Sequence, residues 1–329
     1  MSEILLLTES ELRQCVSLDK TLIDIIEQAF ARLAQGEVIM PPVLSMDLPQ
    51  VNGEVDIKTA YIPDVDSFTI KISPGFFDNP SKGLPSLNGL MVSLASDTGL
   101  VQSVLLDNGY LTDLRTAAAG GVAARHLAPA DARVAGIVGA GLQARLQAKA
   151  LLLERDIRTL YVWARNPDQA AAYAQEQSSQ LGIDVIVSPD IQNLVEQSQV
   201  VITTTPAREA LIRADWLHPG LHITAMGSDA PDKCELEPTV LTLADQLVVD
   251  RISQSQERGE MRAAIAAGVL QPEAHADELG ELCLGKKSGR HNNDHITICD
   301  LTGTGVQDTA IADHATRLAT VHQLGTQVS

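Results

Sequence analysis

The spacing of apolar residues changes near residue 130. From Thr8 to Gln35 apolar residues recur at helical intervals, and Thr8 stands three residues before Glu11 in the form of a capping box. Short runs of β character follow, VDIKTAYIP, SFTIKIS, GLMVSLAS and QSVLLDN, divided by turn signals at Asn52-Gly53, Pro63-Asp64, Asn79-Pro80 and Asp97-Thr98-Gly99. The pattern predicts four strands behind one helix, an α+β unit. The Ala- and Arg-rich segment from Leu111 to Ala128 predicts a helix that carries the chain onward.

From Arg133 strands and helices alternate: RVAGIVG, LQARLQAKALLLER, TLYVWA, PDQAAAYAQEQSSQL, DVIVS, DIQNLVEQS and QVVITTT. That alternation predicts βαβ units and a parallel sheet, with ligands gathered at the carboxyl ends of its strands. HITAM from His222, QLVVD ending at Asp250 and HITICD ending at Asp300 extend the strand series. The final amphipathic segment, DTAIADHATRLATVHQL, is expected to return to the N-terminal unit, because its apolar stripe needs cover. The expected domains are residues 1–118 with 309–329, and 119–308.

Composition narrows the partners. Lys+Arg 24 against Asp+Glu 42 gives a net charge of −18, which disfavours nucleic acid and anionic membranes. The sign carries no information on a substrate, since acidic surfaces also favour solubility. The opening MSEILLLTESELRQ lacks the basic flank of a secretory signal, and no apolar run reaches the roughly 18 residues of a membrane span. Cys15, Cys234, Cys283 and Cys299 are scattered without metal or disulfide spacing. A cytoplasmic setting is the expectation.

RVAGIVGAGLQA places Gly139, Gly141 and Ala144 as G-x-G-x-x-A between a predicted strand and a predicted helix. The first glycine permits the tight turn, the second admits a pyrophosphate, the alanine lets helix pack on strand, and the helix start attracts phosphate charge. Gly139, Ala140, Gly141, Leu142, Gln143 and Ala144 are therefore candidate dinucleotide contacts. The next strand ends Val162-Trp163-Ala164 without the acid that accepts from NAD ribose hydroxyls. Arg165 and Asn166 follow, and an arginine suits a 2′-phosphate, so NADP(H) is favoured with NAD(H) as the alternative. Arg165 also reads as an ordinary solvated loop residue. Thr203, Thr204 and Thr205, and Met226 with Gly227, end later strands where they could line the nicotinamide ribose; a threonine run is equally ordinary β composition. Thr302 and Gly303 form a Gly-rich turn after the last strand, either near the nicotinamide or a simple connection. His291, Asp294 and His295 imitate a metal cluster but lie in the polar stretch KKSGRHNNDH, read as a solvated loop, so no metal is expected. Ser228 lacks a G-x-S-x-G elbow.

LTDLRTAAAG, VGAGLQA, GSDAPDKCEL and CDLTGTGVQD, in this order and spacing, resemble the ornithine cyclodeaminase/μ-crystallin family across essentially the whole chain. KISPGFFDNPSKGLPSLNGLM and DNGYLTDLRTAAAG are most similar to the cyclodeaminase-like proteins of ectoine utilisation. The resemblance implies an α/β fold: a Rossmann dinucleotide-binding domain plus an α+β substrate and dimerisation domain completed by the C-terminal helix. It implies a homodimer. By residue matching it implies Lys71 as the substrate lysine, Arg115 as the carboxylate-binding arginine, Ser86 where a threonine often helps, and Asp229 as the catalytic aspartate. The arginine that ornithine-cyclising members carry is absent from Met40-Pro41-Pro42-Val43-Leu44-Ser45, and their glutamate is not found in KTAYIP, which argues against ornithine. Lys58 offers a different polar contact, or guards an edge strand against aggregation.

Arg115 and Lys71 supply a forked and a point cation for one α-carboxylate. Asp229 then serves as general acid and base at the substrate nitrogen, with Lys71 also in the catalytic set. Three readings follow for a small amino-acid or imino-acid substrate. The leading one is an NAD(P)H-dependent imine or ketimine reductase of amino-acid dehydrogenase type, in the ectoine context a step in ectoine or hydroxyectoine breakdown. The others are a cyclodeaminase that releases ammonia without net cofactor oxidation, and a non-catalytic NADPH-binding protein.

Overall fold

In the computed structural model, which describes residues 3–329, a strand that the pattern did not predict, β1 (Ile4–Thr8), comes first, and the segment from Thr8 to Gln35 forms two helices rather than one, α1 (Glu9–Cys15) and α2 (Lys20–Gln35). The Thr8–Glu11 capping box opens α1, and Asp19 starts α2 by accepting a hydrogen bond from the Leu22 amide at 2.9 Å. A side chain that satisfies an orphan helix donor is a strong start signal, so the helical rhythm is cut before Asp19. β2 (Leu44–Leu48), β3 (Gly53–Ala60), β4 (Ser67–Phe76), β5 (Leu90–Ala95), β6 (Val101–Leu106) and α3 (Tyr110–Leu127) follow.

Then comes the alternating region: β7 (Val134–Val138), α4 (Leu142–Glu154), β8 (Thr159–Trp163), α5 (Pro167–Leu181), β9 (Asp184–Val187), α6 (Ile191–Gln197), β10 (Val200–Thr203) and β11 (His222–Ala225). β12 (Gln246–Val249), α7 (Ile252–Arg258), α8 (Glu260–Ala266), β13 (Asp277–Glu278), α9 (Leu279–Cys283) and β14 (Thr297–Asp300) complete it. The chain ends with α10 (Gly305–Val321) and β15 (Thr326–Val328).

The chain divides into two units, Met1–Arg115 with Thr304–Ser329, and Thr116–Gly303. The first contains a seven-stranded sheet ordered β15-β1-β6-β5-β4-β3-β2, in which β1 runs parallel to β6 and every other pair is antiparallel. α10 lies on β3 and β4 and against α2, whose Ile23, Ile26, Phe30 and Leu33 are buried. The terminal helix thus covers the sheet face that its own apolar stripe requires.

The second unit is an eight-stranded, wholly parallel sheet ordered β13-β12-β14-β11-β10-β7-β8-β9. Strands that carry buried residues at nearly every position, as in β7, β10, β11 and β14, are those of a parallel sheet covered on both faces. β7 stands between β8 and β10, so the strand order reverses there. Open parallel sheets bind ligands at that point, beyond the strand ends. The two units together are the expected α/β class, a Rossmann-like parallel sheet with a second domain. No helix among the described residues is long and apolar enough to cross a membrane.

The polar stretch before β14 is not merely solvated. Arg290 donates to the carbonyls of Leu127, His295 and Leu221 at 2.6, 2.6 and 3.0 Å, and to Thr297 Oγ1 at 2.8 Å. One guanidinium fork therefore ties the end of α3 to β11 and β14. Arg290→Ala should cost at least about 2 kcal/mol in denaturant unfolding, because several carbonyls lose their donor. Arg290→Lys, which has no planar fork, should recover little of it.

Candidate dinucleotide and carboxylate sites

The glycine turn lies at the end of β7. Gly139 has φ +121°, and a side chain there would put Cβ 2.5 Å from Thr204 Oγ1, so only glycine fits. Its amide donates to the Trp163 carbonyl at 2.8 Å, and Thr204 N donates to the Val138 carbonyl at 3.0 Å. Gly141 caps α4 with no side-chain acceptor, and a Cβ at Gly141 would meet nothing within 4 Å. Arg145 braces the turn from behind, donating to the Ala140 and Gly141 carbonyls at 2.7 and 3.0 Å. Leu142 is exposed, Gln143 half-buried, and Ala144 fully buried against the sheet. A helix start without a side-chain cap, beneath open space over a glycine, fits a pyrophosphate.

β8 ends without an acid. Arg165 is exposed and makes no hydrogen bond or ion pair with any described residue. Asn166 spends its side-chain oxygen on α5, accepting from Asp168 N at 2.9 Å. That is the work of a helix cap, which occupies the oxygen that a cofactor contact would need.

The loops after β10, β11 and β14 are held from within by buried carboxylates. Glu235, fully buried, accepts from Thr203 Oγ1 at 2.6 Å, Thr205 N at 2.6 Å, Thr205 Oγ1 at 2.7 Å and Gly227 N at 2.7 Å. Thr203 is itself fully buried, so its hydroxyl serves the protein interior, while Thr204, Thr205, Met226 and Gly227 are half-buried. Asp250 does the same after β14, accepting from Thr302 N at 2.8 Å, Thr302 Oγ1 at 2.9 Å and Gly303 N at 2.7 Å. Behind them, Glu260 accepts from Glu235 N at 2.8 Å, and Asp300 accepts from Glu260 N at 2.9 Å. Sequence reasoning missed all four acids as functional candidates. Only Asp250 and Asp300, at or just past apolar strands, carried a hint of burial.

The first unit collects cations on one sheet face. Lys71 of β4 is 2% exposed, and its Nζ lies 3.0 Å from both oxygens of Asp308, a fully buried acid in the first turn of α10. Arg115 Nε lies 3.1 Å from Asp308 Oδ1. The two terminal guanidinium nitrogens of Arg115 have no acceptor among the described residues. Burial, then the Arg115 charge, lowers the Lys71 ammonium to about 7 against the pull of Asp308. A lysine near neutrality can both pair with a carboxylate and change its proton count.

Lys58 pairs in register with Lys71 across β3 and β4 and is 7% exposed. β3 lies between β2 and β4, so Lys58 is no edge-strand guard. Ser86 sits half-buried in the loop before β5, where its carbonyl accepts from Phe76 N at 2.7 Å. It bonds to neither Lys71 nor Arg115. Asp107, buried beneath the start of α3, accepts from Leu111 N at 2.9 Å, and burial raises its carboxyl.

Asp229 follows β11 in the second unit. Its side chain is 46% exposed, and its Oδ1 accepts from Lys233 Nζ at 2.6 Å. A half-exposed carboxyl is open to solvent on one side, as a proton-transfer group must be.

Turn, switch-point sheet and uncapped helix start define a dinucleotide-binding domain. A sequence model of the ornithine cyclodeaminase/mu-crystallin family matches residues 2–317, and the chain belongs to that family. An uncharacterized cyclodeaminase of Sinorhizobium fredii is 51% identical over 99% of this chain and 98% of its own. The Thermococcus litoralis Delta(1)-pyrroline-2-carboxylate reductase, in complex with NADH and L-proline, superposes with TM-score 0.94 at 31% identity, covering 99% of this chain and 100% of that one. An archaeal alanine dehydrogenase dimer with bound NAD gives TM-score 0.91 at 32% identity, covering 100% and 99%.

Burial, then the charges of Asp300 and Glu235, pushes Glu260 up to about 8, and burial likewise raises Asp300 to about 7. A carboxyl whose folded value exceeds its unfolded one stabilises fully below the unfolded value and loses that contribution as pH rises through the folded one. Stability should therefore fall between about pH 5 and 9 through Glu260. Thermal unfolding of Glu260→Gln across that range should show a shallower decline than the unmodified protein; parallel curves would refute the assignment.

Proposed function

We propose that this chain is an NAD(P)H-dependent imine or ketimine reductase, of amino-acid dehydrogenase type, acting on a small amino-acid-derived carboxylate. The observation that carries the reading is the Arg115 fork, buried beside Lys71, with Asp308 taking one guanidinium nitrogen and leaving the two terminal ones without protein acceptors. The two terminal donors of the fork match the two oxygens of one substrate carboxylate. The Delta(1)-pyrroline-2-carboxylate reductase in complex with NADH and L-proline supports the same reaction class.

The dinucleotide, when bound, supplies or takes up the hydride. Ala140, Gly141 and Leu142 offer the pyrophosphate their amides, and the strand-end loops carry the nicotinamide half. Arg115 and Lys71 fix the carboxylate and so the orientation of the carbon that reacts. Asp229 gives a proton to the nitrogen during reduction and takes it back in the reverse direction. Lys233 Nζ, 2.6 Å from Asp229 Oδ1, holds that carboxyl in place. The exposed Ile39, Leu44, Met46, Val51, Leu84 and Leu87 on and around the β2 edge support a homodimer through the first unit.

A second reading, a cyclodeaminase, is favoured by the Sinorhizobium fredii relative. One paired assay separates the two: absorbance at about 340 nm with cyclic and linear imino acids, including amino-acid derivatives of ectoine breakdown, beside ammonia release from diamino acids with catalytic NAD+. Stoichiometric NAD(P)H loss identifies the reductase; ammonia without net cofactor change identifies the cyclodeaminase. Asp229→Asn should lower kcat by roughly 100-fold or more while leaving dinucleotide affinity unchanged. Retained turnover would remove Asp229 from the mechanism.

The cofactor preference proposed is NADPH, with NADH accepted, on the strength of Arg165 and the missing acid. Arg165→Asp should move the ratio of kcat/KM values toward NADH by about tenfold or more. An unchanged ratio would return Arg165 to the solvated loop.

A further inference from the structure

Three loops end at the carboxyl edge of the parallel sheet, and one carboxylate reaches two of them. Glu235 lies six residues beyond Asp229, on the segment that returns beneath the strand ends. It takes four hydrogen bonds, one from the last residue of β10, two from the loop after β10 and one from the loop after β11. Each oxygen serves two donors: Oε1 takes Thr205 N and Thr205 Oγ1, and Oε2 takes Thr203 Oγ1 and Gly227 N. The loops also touch each other, since a Cβ on Gly227 would lie 2.0 Å from the Thr205 carbonyl and 2.6 Å from the Glu235 carboxyl carbon. Two loops packed that closely, with their amides aimed at one buried anion, have little freedom apart from it.

We propose that Glu235 is a positioning residue for the dinucleotide: its carboxylate holds Thr205 and Gly227 in the arrangement that receives the nicotinamide half, and so sets cofactor affinity without touching the cofactor. The inference rests on the dinucleotide reading given under Proposed function. Glu260, which accepts from the Glu235 amide at 2.8 Å and from Leu236 N at 3.3 Å, anchors the segment on which Glu235 stands. An ionised carboxylate can serve four donors, but an amide cannot. In Glu235→Gln, whichever way the amide is turned, its NH2 faces one backbone amide, of Thr205 or of Gly227, and that amide loses its acceptor.

The test measures NADH and NADPH affinity by fluorescence titration, KM for the imino acid, and amide hydrogen exchange at Thr205 and Gly227, in the full chain and in Glu235→Gln. The expected result is a dissociation constant raised roughly tenfold or more, faster exchange at those two amides, and an unchanged imino-acid KM. Thr203→Val, which removes one donor and keeps the shape, should weaken cofactor binding in the same direction and by less; it carries the test if Glu235→Gln fails to fold. Lowered thermal stability with unchanged dinucleotide affinity would overturn the proposal and leave Glu235 a purely structural group. Absence of dinucleotide binding in the unmodified protein would overturn the dinucleotide reading itself, and this inference with it.

Discussion

Backbone amides at the ends of parallel strands have no neighbour in the sheet to accept from them, and burial makes each one costly unless something else does. In this chain the acceptors are carboxylates. Glu235 and Asp250 satisfy the strand-end loops directly, Glu260 satisfies the segment that carries Glu235, and Asp300 satisfies the amide of Glu260. Burial first, and the charges of neighbouring acids second, make Glu260 and Asp300 keep their protons into the neutral range. The outcome is a rigid floor beneath the loops, built from groups that would each be unfavourable alone.

The first unit solves the complementary problem with cations. Lys71, Arg115 and Asp308 are almost completely removed from water, and none could be buried without the others. Asp308 offsets two positive charges only partly. What remains is a guanidinium fork whose two terminal nitrogens have no acceptor among the described residues, held in a fixed geometry.

Much of this was legible in the residues. The βαβ rhythm and the G-x-G-x-x-A turn predicted the parallel sheet because period and punctuation are local signals. Residue matching singled out Lys71, Arg115 and Asp229, and the first two meet in the structure on a shared partner. Asp308 was not legible, because its role depends on α10 returning across some two hundred residues of chain to meet β4. Glu235 and Asp250 were hidden for the same reason: a buried acid reads like any surface acid until the loops it serves are placed. The break at Asp19 was missed because an apolar rhythm continues through Val16 and Leu18, whereas the cap that interrupts it is one side-chain bond. β2 and β15 were missed because their residues are largely exposed and lack a buried alternation.

The discontinuity of the first unit has a consequence for how the chain is made. The second unit is continuous from Thr116 to Gly303 and contains every partner its strands need, so it can fold while synthesis is still under way. The first unit cannot. Lys71 and Arg115 emerge early, yet their counter-ion lies at residue 308, and β1 waits for β15 until the last residues are available. A nascent chain thus carries a folded parallel sheet beside an open one whose buried charges are still uncompensated, and the last two dozen residues act as the clasp that closes it.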